Sequence, residues 1–238
     1  MKKLFTFIIA LALLPNFTFA AIAVDNFVVG KTTVKTTSLS LTLVTNNASM
    51  LICGLQSDGA GAGAPTSESI TYNSAAMTEA VSISPSFYSS DWYLANPTNG
   101  SHTVAISWTN STWLTAGCVS FTGTASTIGA TASNNGSGNI SVPITTMVNN
   151  SWLVDSVYQN NGALSMTAGG TQQYDTTTSA DGFRGWGQSV TTTTAGSYTD
   201  SWTQGSGAAN TWGATVIEIE PGVAAAVATT PLISARWW

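Results

Sequence analysis

Apolar and polar side chains alternate along much of the chain. Leu39, Leu41 and Leu43 alternate with Ser38, Ser40 and Thr42, and Val104, Ile106 and Trp108 alternate with Thr103, Ala105 and Ser107. The pattern returns at Ile140, Val142 and Ile144, and at Ile217 and Ile219 beside Glu218 and Glu220. Side chains two apart share one face of a strand, so each segment predicts a strand with one buried and one wet side. In the last segment this places the isoleucines inward and the glutamates in solvent. Gly- and Asn-rich breaks at 59–63, 96–100 and 134–138 supply residues that tolerate the positive φ of turns. Pro143 interrupts the run Ile140 to Ile144 and cannot donate a ladder hydrogen bond, which predicts an edge strand. No segment has the period of an amphipathic helix. The pattern predicts an all-β, antiparallel two-sheet β-sandwich, jelly-roll-like, as a single domain over 24–220 with a C-terminal tail over 221–238. Trp237 and Trp238 at the end of that tail read equally as a pair folded back on the sandwich and as an interaction handle.

The start of the chain has a different character. Met1-Lys2-Lys3 precedes an apolar run from Leu4 to Leu14 and the small residues Ala20, Ala21 and Ala23. A basic start, a short apolar stretch and small residues before a cut predict a secretory signal peptide within 1–23, cleaved after Ala20 or Ala23. The run is shorter than the roughly 20 residues a spanning helix needs, and no later stretch predicts a membrane span. The expected location is therefore secreted, extracellular or on the cell surface.

Composition narrows the partners. The chain carries 6 basic and 11 acidic residues, a net charge of −5, and the remaining cations Lys31, Lys35, Arg184 and Arg236 form no basic stripe. Nucleic acid is therefore excluded as an expected partner. Charged residues are only 7% of the chain, so Thr, Ser, Asn and Gly must fill the polar positions, which suits broad sheets facing water. Nine Trp among 43% apolar residues predict a packed core rather than disorder.

Catalytic chemistry has few parts to work with. His102 is the only histidine and falls at the start of a strand, which leaves no histidine-dependent triad or multi-histidine metal site. Glu218 and Glu220 lie roughly 7 Å apart on one face, within the range of paired glycosidase carboxylates, but read as the solvent side of a strand. Asp155 shares a face with Leu153 and Val157 and needs a partner if buried. Asp175, Asp181 and Asp200 lie among Thr, Ser and Gly, which leaves calcium as the one cofactor to consider. Cys53 and Cys118 are an even pair in an exported chain and predict either a disulfide or two buried thiols. Trp186, Trp202 and Trp212, with Asp200 nearby, are the ligand-binding candidates. Flat rings beside amides and carboxylates suit a sugar-binding face, although core packing explains most Trp in a sandwich.

Several phrases occur together: Ser49-Met50-Leu51-Ile52-Cys53-Gly54-Leu55, Ser69-Ile70-Thr71-Tyr72-Asn73, Trp92-Tyr93-Leu94-Ala95-Asn96-Pro97, Ala116-Gly117-Cys118-Val119-Ser120-Phe121-Thr122-Gly123 and Ala214-Thr215-Val216-Ile217-Glu218. In this order the chain resembles, from about Ser49 to Glu220, an uncharacterised β-sandwich module of exported bacterial and metagenomic surface proteins. Cys53 and Cys118 stand where that module has small or aliphatic residues. The resemblance implies fold and export, not chemistry. The leading expectation is a non-enzymatic structural or adhesive surface protein that acts through its sheet faces and edges and pairs with itself or with other extracellular components. A carbohydrate-binding module is the alternative, and a glycan-degrading enzyme the third reading.

Overall fold

The computed structural model describes residues 19–57, 65, 68–84, 88–160, 165–176, 182–205 and 210–223. Residues 1–18 of the expected signal peptide, Asp181, and Trp237 and Trp238 lie outside the described residues.

The described chain is all-β and antiparallel. Its first half contains β1 (Ala23–Lys31), β2 (Thr36–Thr45), β3 (Met50–Ser57), β4 (Ser69–Tyr72), β5 (Ala75–Ala76), β6 (Thr78–Ile83), β7 (Tyr88–Ala95), β8 (Gly100–Thr112) and β9 (Leu114–Thr122). The second contains β10 (Thr124–Ser137), β11 (Ile140–Thr146), β12 (Trp152–Gln159), β13 (Met166–Ala168), β14 (Thr171–Asp175), β15 (Arg184–Thr191), β16 (Gly196–Gln204) and β17 (Thr211–Pro221). The expected pair of sheets is present, and it occurs twice. Sheet β1-β9-β3-β7-β6 faces sheet β2-β8-β4-β5, and sheet β10-β17-β12-β15-β14 faces sheet β11-β16-β13. In each half the first strand pairs with the last and the second with the penultimate, which is the order of a jelly roll.

The two halves repeat in detail. A register shift between Glu79 and Val81 in β6 recurs between Gln172 and Tyr174 in β14. Thr45 pairs with Gly100 and Thr146 with Gly196, both glycines entering their strands at positive φ. Cys53 faces Cys118 as Asp155 faces Val216. Pro143 lies in β11, at the edge of its sheet, as its missing N–H requires.

Each jelly roll has its own core. Leu51, Cys53, Leu55, Ile70, Tyr72, Val104, Ile106 and Trp108 fill the first, and Ile140, Val142, Ile144, Leu153, Val157 and Val216 belong to the second. A third core joins the two, with Met50, Ile52, Val119 and Phe121 from one half against Val154, Ile217 and Ile219 from the other. Here the larger sheets pack face to face: β3 on β12, β7 on β17, β9 on β15, β1 on β14 and β6 on β10. Exchanging the halves turns β7 on β17 into β15 on β9 and β1 on β14 into β10 on β6, and leaves β3 on β12 unchanged, so the halves are related as two subunits about a two-fold axis. The molecule is thus four layers deep. Its inner strands are covered on both faces, and β3 is buried at every position.

The ends of the described chain meet beside this junction. Phe19 bridges Val223, Ala20 N–H donates to Gly222 O at 2.8 Å, and Ile22, 7% exposed, packs into the shared core. No helix among the described residues is long and apolar enough to cross a membrane.

Candidate functional site

The sequence-predicted ligand residues are brought together, but inside the second jelly roll. Trp186, Trp202 and Trp212 are 3%, 1% and 3% exposed and Asp200 is 1% exposed. No ring face is offered to a sugar: Trp186 and Trp202 pack against each other at 5.8 Å between centroids, and the Arg184 guanidinium covers Trp186 at 4.2 Å. The expectation of an exposed aromatic platform is corrected accordingly. Trp202 lies in β16, where exposure alternates, whereas Trp186 and Trp212 lie in β15 and β17, which are buried on both faces along most of their length.

What these residues build is a polar centre. Asp155, buried beside them, accepts from Trp202 Nε1 at 2.6 Å, Gln188 N at 2.7 Å and Gln188 Nε2 at 3.0 Å. Gln188 Nε2 also reaches Asp200 Oδ1 at 3.0 Å. Burial, and then the negative charge of Asp155, hold the Asp200 carboxyl well above the usual carboxylate range. Burial also raises Asp155, while its bonds from Asp200, Trp202 and Gln188 pull it back. Asp200 therefore keeps its proton and gives it to a hydrogen bond with Asp155. Asp155 is thereby satisfied, whereas Asp200 Oδ2 has no partner besides Asp155 in the core.

A second polar group lies in the junction between the halves. Ser156 donates to Asp91 at 2.5 Å and contacts Tyr174 Oη at 2.9 Å, while Gln56 Nε2 donates to the same phenol at 3.0 Å and Thr115 donates to Gln56 Oε1 at 3.0 Å. Burial lifts Asp91 to about 8.

The remaining candidates are placed as follows. Cys53 and Cys118 form a disulfide between directly opposed residues of β3 and β9, with Cα atoms 4.1 Å apart. The bond lies within one sheet, so no bridge between sheets is needed. Glu218 does not face solvent: it is fully buried, and its carboxylate accepts from the backbone N–H groups of Ala130, Met147 and Val148 at 2.9 to 3.3 Å. It satisfies the backbone where β10 is bulged between Thr124 and Thr131, which corrects the expectation that Glu218 lies on a solvent face. His102 contacts Asn99 O at 3.0 Å and stands edge-on to Tyr72. Asp175 pairs with Arg184, and Asp200 is in the core, so neither is presented to a calcium ion.

Glu68 was not singled out by its sequence context. It accepts from Tyr88 in a cleft of about 340 Å³ that also includes Glu79 and Trp92, and burial lifts its carboxyl to about 7.

The outer faces of the two smaller sheets bear rows of small polar residues. On one, Ser38, Ser107 and Ser69 line up across three strands, followed by the row Ser40, Ala105 and Thr71 and the pair Thr42 and Thr103. On the other, Ser141 faces Ser201, Pro143 faces Thr199 and Thr145 faces Ser197. These rows carry no charge and repeat at roughly 4.8 Å across and 6.8 Å along the strands. They lie on opposite sides of the four-layer stack.

Comparison with known proteins finds no matching family model, no matching curated protein and no matching solved structure.

Proposed function

We propose that this chain is an exported structural or adhesive protein that works at or outside the cell surface through its outer sheet faces. The observation that carries the reading is the pair of uncharged Ser and Thr arrays on the two smaller sheets. Hydroxyls donate and accept alike, so such faces pair with other neutral polar surfaces, including further copies, without charge steering. The basic and apolar start of the sequence supports export, and so does a disulfide, which persists in oxidising compartments.

Retention of protein-coated beads on a protein-coated surface tests the reading. Replacing Ser40, Thr103 and Thr199 with glutamate should lower retention several-fold while leaving the melting temperature unchanged. Equal retention by the triple variant would remove the faces from the account.

A further inference from the structure

We propose that the groove where β10, β11 and β16 meet, at the mouth of the second jelly roll, binds a neutral sugar chain. The proposal supplies a ligand class for the adhesive reading and rests on it for its biological setting.

The groove encloses about 380 Å³, within the span of small-molecule sites. Ala130, Ala132 and Ile144 give it an apolar floor, and Thr131, Thr145 and Ser197 lie along its rim, where the Thr145 and Ser197 hydroxyls contact each other at 3.4 Å. The half-exposed Tyr198 ring forms one wall and Pro143 contributes another apolar surface. None of the lining residues is charged. A sugar offers the complement: C–H faces for an aromatic ring and floor, and hydroxyls for Ser and Thr. A phosphate or carboxylate ligand would find no cation here, and an amine no anion.

Tyr198 is already set in place. Its hydroxyl donates to Thr194 O at 2.7 Å, which fixes the ring before any ligand arrives and lowers the ordering cost of binding.

The first jelly roll supplies an internal comparison. Val28 pairs with Cys118 as Ala132 pairs with Val216, so the registers equate Val28 with Ala132. In that half Val28, Leu39 and Leu41 pack against the core, and Leu41 reaches so far over Gly30 that a Cβ there would lie 2.2 Å from it. The second half has the shorter Ala132 and Val142 at the positions of Val28 and Leu41. Tyr198 stands where the first half has His102. Val142 is fully buried and does not line the groove, so it is the shorter Ala132 that leaves room beside the Tyr198 ring.

The test titrates the purified exported chain with soluble cello-, manno- and N-acetylchito-oligosaccharides, with an alginate oligomer as anionic comparator, by calorimetry. Saturable binding of at least one neutral series is expected. Tyr198→Ala should weaken it by about tenfold. Ala132→Val, which restores the side chain of the first half, should weaken it by a similar factor at an unchanged melting temperature. Absence of saturable binding by every neutral series, equal binding of alginate, or binding that survives both substitutions would overturn the proposal. Beads that adhere without any sugar binding would sink this inference and leave the adhesive reading standing. Sugar binding without bead retention would do the reverse.

Discussion

Trp202 donates its indole N–H to Asp155 at 2.6 Å, and this bond turns two residues that look like a ligand site into the polar centre of a core. Asp155 also takes both N–H groups offered by Gln188, so three donors depend on one carboxylate. Asp155→Ala should lower the unfolding free energy by about 3 kcal/mol, because the Trp202 indole N–H and the Gln188 backbone N–H would be left buried without an acceptor, while Gln188 Nε2 keeps Asp200 and Ser201 O. Urea unfolding of the variant and the parent chain measures the difference.

The pH dependence of stability follows from Asp91. In the unfolded chain it titrates near 3.8, whereas burial lifts it to about 8 in the folded state. Between those values the folded state holds a proton that the unfolded state has released. Stability from this group is therefore fully present below about pH 4 and is lost as pH rises to about 8, at up to about 1.4 kcal/mol per pH unit. The raised Asp155 and Asp200 pair acts in the same direction. Unfolding curves at about pH 5, 7 and 9 should show falling stability, and Asp91→Asn should flatten the slope.

The Cys53–Cys118 disulfide closes a loop of sequence separation 65, for which chain entropy gives about 4 kcal/mol. The double variant Cys53→Ala with Cys118→Ala should unfold at a correspondingly lower denaturant concentration. A midpoint equal to the parent's would mean that packing in the first core, not the cross-link, supplies the stability.

Export, if it follows the sequence signals, should cut after Ala20 and not after Ala23. The later cut would remove Ile22, which is buried in the core shared by the two halves. Intact mass of the secreted chain distinguishes Ala21 from Val24 as the first residue.

The strands were legible because alternation of Leu39, Leu41 and Leu43, or of Val104, Ile106 and Trp108, survives wherever one face meets water. Pro143 marked its edge for the same local reason. The inner sheets were harder to read. Where both faces are covered, as around Met50 to Leu55, alternation no longer separates inside from outside, so two stacked jelly rolls look like one sandwich. Glu218 was misplaced by that assumption: a glutamate beside buried isoleucines reads as wet unless the bulge and turn that claim its oxygens are known. The tryptophans were misplaced by their neighbours, since Gly, Ser and Thr flank them in sequence while their partners come from other strands. Glu68 and the groove at Tyr198 are assembled from separated segments, and spacing along the chain carries no trace of either.

Tyr174 breaks the internal symmetry of the junction. Its ring occupies the space over Gly117, where an added Cβ would lie 2.4 Å away, and its hydroxyl reaches over Gly54. The registers equate Tyr174 with Val81, Gly54 with Ser156 and Gly117 with Thr215. One half therefore carries a knob and the other the socket that receives it. Two copies of the socket half would leave a void between them, and two copies of the knob half would collide with Ser156 and Thr215. The seam is keyed, so each half fits its covalent neighbour and not a duplicate of itself on another chain.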